Sequence, residues 1–139
     1  MTARLALARW DAALRRDRLA LRVAIVTGAI FVLAGLVKFV FHGWELRAFR
    51  AFGLPWPSAL EIFAGVVEIA GGLLLLARKL VVPAAVLLVV TMLVAIGASG
   101  IGHGDVIPSL TLAPALLVAL LFLLARTLRD RRAPTSLRR

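Results

Sequence analysis

The chain has 139 residues, 62% of them apolar, a formal net charge of +10 and no cysteine. Its mean hydropathy of +0.99 is high for a soluble domain, and the length leaves no room for a large soluble core beside membrane spans, so one integral membrane domain is the simplest reading. The lack of cysteine excludes thiol–disulfide chemistry, a cysteine nucleophile, a thiolate metal site and S-palmitoylation.

Residues 1–22 form a basic arm that carries Arg4, Arg9, Arg15, Arg16, Arg18 and Arg22. Leu7, Trp10, Leu14 and Leu21 recur at helical spacing, which predicts an amphipathic helix at the interface with its arginines toward anionic lipid headgroups. The basic stretch is too long for a signal peptide, and no small-residue cleavage site follows the first apolar run.

Four apolar runs follow, over residues 23–41, 57–77, 80–97 and 106–128. Each is near the ~20 residues that span a bilayer as a helix. The runs are continuous rather than alternating, so helices are expected and a β-barrel is not. The predicted class is all-α: a four-helix transmembrane bundle over residues 23–128, preceded by the arm and followed by a basic disordered tail over 129–139.

The connection between the first two runs reads HGWELRAFRAFGLPWP and predicts a short outer-side helix. Trp44, Phe49 and Phe52 lie opposite Arg47 and Arg50, Gly53 ends the helix, and Pro55 and Pro57 lead into the next span. Trp44 and Trp56 suit the headgroup level, so the segment reads either as an interface anchor or as a lid over a lateral opening. Pro83 falls in the first turn of the third span, and Pro114 is expected to kink the fourth.

Basic residues set the expected orientation. They crowd the arm, the turn at Arg78 and Lys79, and the end of the chain from Arg126 to Arg139, whereas the opposite side has only Arg47 and Arg50. Both termini are therefore expected in the cytoplasm of a multi-pass inner-membrane protein. This asymmetry already accounts for the charge, so no nucleic-acid partner is expected.

Three charges interrupt the first two runs. Lys38 sits in FVLAGLVKF, and Glu61 and Glu68 lie in the second run, where Glu61, Gly65, Glu68 and Gly72 share one helix face. A charge inside a span is costly and needs a partner. Lys38 is level with Glu61 in an antiparallel pair, and its stem is long enough to reach toward Glu68, so a bridge to either acid or to both is expected. Gly28 and Gly35, seven residues apart, offer a matching seam for close approach to the second span. The buried charges read either as a structural brace or as a polar site for a headgroup, a quinone ring or a proton. His103, in GIGHGDVIP of the outer loop, closes a polar loop or lines the mouth of that site. His42, Glu45, His103 and Asp105 match no metal-binding spacing, and no metal site is predicted.

The elements FVLAGLVKFV and AGVVEIAGGLLLLARKL, from Val23 to about Leu128, resemble the DoxX family of small bacterial membrane proteins. The matching positions are Gly35, Lys38, Glu68, Gly71 and Gly72. His103 also resembles a histidine-bearing region of many members, while the family's frequent Gly-rich ending is replaced here by a basic tail. The resemblance implies a four-helix bundle and a link to respiratory or redox chemistry, through quinone-linked sulfur oxidation or partnership with oxidative-stress enzymes.

The leading expectation is a non-catalytic or accessory redox subunit with no intrinsic cofactor. It would bind a quinone or similar lipophile near Lys38, Glu61, Glu68 and His103 and meet a soluble or membrane oxidoreductase. The alternatives are a membrane scaffold whose Lys–Glu pair is structural, and a small carrier. A carrier of this length would need a homo-oligomer and shows no inverted repeat.

Overall fold

The computed structural model describes residues 3–101 and 111–129. These residues form helices α1 (Ala3–Arg16), α2 (Arg18–Val40), α3 (His42–Ala51), α4 (Pro57–Ala77), α5 (Val81–Ala95) and α6 (Leu112–Arg129), with no strand among them. A π-helical turn, Ile96–Ile101, continues α5.

Helices α2, α4 and α6, and α5 extended to Ala98, are long and apolar enough to cross a membrane. They pack in a ring in which α4 lies beside α2 and α5, while α6 closes the ring against α5 and α2. The core is built from residues that recur at helical spacing: Ala24 and Phe31 of α2, Leu75 of α4, Ala85 and Leu88 of α5, and Leu120 and Leu123 of α6. The outward faces are also apolar, with Val26, Leu33, Phe63, Val90 and Val118 exposed. Such a surface is untenable in water and suits lipid, so the fold is an all-α membrane bundle.

The arm differs from its expected boundary. A break at Asp17 ends α1, and α2 starts at Arg18, so Leu21 and Arg22 belong to the first span. Asp17 causes this by accepting hydrogen bonds from the backbone N–H groups of Leu19 and Ala20, which caps α2. Its other oxygen receives Arg126 Nε at 2.7 Å, and the Arg126 guanidinium lies over the Phe122 ring. The Arg126 hydrogen bond, with the two backbone donors behind it, holds the Asp17 carboxyl below its usual range.

Helix α1 packs across one end of the ring, against α2, α5 and α6, with Ala13 and Leu14 buried. Asp11 accepts the N–H groups of Leu80 and Val81 at 3.1 Å, capping α5 from nearly seventy residues away. The α4–α5 turn itself is tight. Lys79 N–H donates to Leu74 O and Arg78 N–H to Leu75 O, a Schellman ending with Arg78 at the left-handed position, φ 57°.

Pro114 does not kink a span. Helix α6 begins at Leu112, so the proline stands in the first turn, where its missing N–H has no intrahelical partner to lose. Pro83 occupies the same kind of position in α5. The residues expected to open the fourth span at 106 lie outside the described part of the chain.

Candidate functional site

The site lies on the α2–α4 pair, the closest in the bundle, and glycine sets that closeness. A Cβ on Gly72 would sit 2.6 Å from Gly28 O, and one on Gly28 would sit 2.8 Å from Gly72 O. At the next contact, a Cβ on Gly35 would meet Gly65 O at 2.8 Å and Ile69 Cγ1 at 2.6 Å. These two contacts define one antiparallel register, because seven residues along α2 match seven back along α4. Gly71 points elsewhere, since its Cβ would strike Leu88 of α5 at 2.8 Å. Gly28, Gly35 and Gly65 with Gly72 thus form one seam, and Gly71 serves the neighbouring one.

The register puts Lys38 level with Ile62, six residues and about 9 Å along the axis from Glu68. The lysine stem crosses that interval, and Lys38 Nζ lies 3.0 Å from Glu68 Oε2. Glu61 takes a different partner: His42 Nδ1 is 2.9 Å from both of its carboxylate oxygens. Of the alternatives open to Lys38, the structure therefore contains the bridge to Glu68. His42 stands four residues beyond Lys38 and one turn nearer the α3 end, at the level where Glu61 faces it. That spacing was the available signal for the second pair.

Exposure grades across the group. The His42 side chain is 48% exposed and that of Lys38 16%, whereas those of Glu61 and Glu68 are 1% and 6% exposed. The acids are thus interior and the bases reach outward, as long or amphipathic side chains do near the end of a span. The His42–Glu61 contact requires a proton, either on Nδ1 donating to the carboxylate or on the carboxyl donating to Nδ1. Lys38 has three N–H donors, and Glu68 Oε2 faces the ammonium at a single contact.

Helix α3 bears on the same end. It follows α2 after a one-residue break at Phe41 and packs on α4 and α2 with none of its residues fully buried. Its Glu45 carboxyl is raised from the usual range, chiefly by burial; the nearby Lys38 charge opposes this and that of Glu61 adds to it. Trp44 and Trp56 are exposed beside the site, and Phe49 and Phe52 stack at 6.5 Å with a 48° tilt. His103 and Asp105 lie outside the described residues. Among the described residues no group of three His, Asp or Glu side chains is arranged to hold a metal ion.

The fold and these contacts define a small polytopic membrane bundle, with the Lys38–Glu68 ion pair between its first two spans and His42 of α3 set against Glu61. The family model for DoxX matches residues 18–104, so the chain belongs to the DoxX family. The match begins where α2 begins and takes in α2 to α5, which includes every residue of the two pairs. Neither a curated protein nor a solved structure matches the chain.

Proposed function

We propose that this DoxX protein is an accessory, membrane-embedded subunit of a redox system, and that it binds a quinone or similar lipophile between α2 and α4. The observation that supports this reading is the Lys38–Glu68 pair, set 3.0 Å apart inside the α2–α4 pair. An ion pair there is expensive to bury, and ionisable groups in spans are characteristically functional. Lys38 retains donor capacity for a carbonyl oxygen of a ring lying at the α3 end, and His42 presents an imidazole one turn away. The exposed Trp44 and Trp56 offer flat apolar surface at the same level. Electron transfer itself is assigned to a partner oxidoreductase that would meet the bound lipophile.

The seam favours a second reading, a scaffold in which Lys38 and Glu68 only brace two closely packed helices. Native mass spectrometry of protein extracted gently from its own membrane separates the two. The redox reading expects a stoichiometric quinone, or an oxidoreductase subunit, to travel with the wild-type protein. It expects the Lys38→Met, Glu68→Leu double variant to fold yet lose the lipophile. A wild-type protein carrying only bulk phospholipid, or a double variant that keeps its quinone, would leave the scaffold reading standing.

A further inference from the structure

We infer that the turn between α4 and α5 is a binding site for the phosphate-bearing headgroup of an anionic phospholipid. Three cations converge there. Arg15 of α1 donates from Nη2 to the Arg78 carbonyl oxygen at 3.3 Å, which lays its guanidinium against the turn. Arg78 and Lys79 are exposed on the turn itself, and neither makes an ion pair among the described residues.

The acids of this end offset only part of that charge. Both oxygens of Asp11 are taken by the N–H groups of Leu80 and Val81. Asp17 is committed to the α2 amides and to Arg126. Three cations against the single carboxylate of Asp11 leave the turn net positive, and a guanidinium and an ammonium suit phosphate oxygens.

The backbone of the turn is tightly constrained. Arg78 holds a left-handed conformation, φ 57°, where glycine is the usual residue and a longer side chain is strained. Leu80, two residues on, does the same at φ 50°. This conformation closes α4 through the Schellman hydrogen bonds and sets the backbone of the turn.

Position selects a lipid over a soluble anion. The turn joins two spans, so it lies at headgroup level. Leu80 is 41% exposed beside Lys79 and Leu73 is 51% exposed further along α4, and they continue into the apolar outer faces of α4 and α5, where acyl chains would lie. Phosphate and chains are thus recognised along one continuous surface.

Full-length protein in detergent, titrated with phosphatidylglycerol or phosphatidylcholine and followed by native mass spectrometry, tests the site. Phosphatidylglycerol is expected to be retained in preference to phosphatidylcholine. The Arg78→Gln, Lys79→Gln double variant should bind it about thirtyfold more weakly, as expected for the loss of two surface cations. Glutamine keeps the long stems, and unchanged thermal unfolding in detergent certifies the fold. An Arg4→Gln, Arg129→Gln variant removes the same charge elsewhere on this end and should change binding less than about threefold. No preference between the lipids would overturn the inference, as would equal losses in the two double variants. Displacement of phosphatidylglycerol by inorganic phosphate would overturn the lipid assignment in favour of a soluble anion.

Discussion

Removing Lys38 alone is not equivalent to removing the pair. Lys38→Ala leaves the Glu68 carboxylate inside the helix pair without its partner at 3.0 Å. Breaking a buried pair in this way costs about 3–5 kcal/mol, whereas exchanging both members for apolar residues of similar volume is often neutral or stabilising. Thermal unfolding in detergent should therefore show a large drop for Lys38→Ala and near wild-type stability for Lys38→Met with Glu68→Leu. A mild single variant would mean that Glu68 is held by something other than Lys38. Glu45 gives the corresponding pH effect. Its carboxyl is raised mainly by burial, so the folded state favours the protonated form. The stability this contributes is fully present below the ordinary carboxyl value and is lost as pH rises through the folded one. Glu45→Gln should flatten that part of the stability–pH curve and should melt higher than wild type at neutral pH. An unchanged curve would show that Glu45 is solvated.

At the scale of the helix, the α2–α4 seam is the element with least freedom. A methyl group on Gly72 would lie 2.6 Å from Gly28 O and 2.9 Å from the Val32 backbone nitrogen, and neither backbone atom can swing aside. Gly72→Ala should cost roughly 1–3 kcal/mol, the range for overpacking, and should separate the helices enough to strain the Lys38–Glu68 contact. Gly43→Ala is the control, because nothing lies within 4 Å of a Cβ there. This seam was legible from the chain, since seven-residue glycine spacing on α2 and small residues alternating with acids on α4 specify a face and a partner. The four spans were legible for the same reason: hydropathy is a local property. Three features were not. The α2 boundary depends on a cap at Asp17, and runs of apolar residues do not report caps. The choice of Glu68 over Glu61 for Lys38 depends on His42 having already engaged Glu61, which is a fact of tertiary packing. The capping of α5 by Asp11 joins residues nearly seventy positions apart, and no periodic pattern carries such a contact.

The whole molecule is electrically one-ended. The α1 end exposes Arg15, Arg16, Arg18, Arg22, Arg78 and Lys79 among its cations, against only the acids Asp11 and Asp17. At the α3 end, Lys38, Arg47 and Arg50 are balanced by Glu45, Glu61 and Glu68. Positively charged short segments are retained on the cytoplasmic side during insertion, so this contrast predicts that the α1 end faces the cytoplasm and the α3 end the far side. The mouth of the Lys38 site would then open away from the cytoplasm, and the basic turn would meet the anionic inner leaflet. Because the chain contains no cysteine, single reporters are unambiguous. Arg16→Cys and Arg47→Cys both place a thiol on an exposed position, at opposite ends of the bundle. In intact cells a membrane-impermeant maleimide should label Arg47→Cys and spare Arg16→Cys until the membrane is broken. The opposite pattern would invert the molecule, and it would move any partner of the Lys38 site to the cytoplasm. Labelling of both reporters in intact cells would indicate a mixed population, in which case the arginine excess does not fix the orientation.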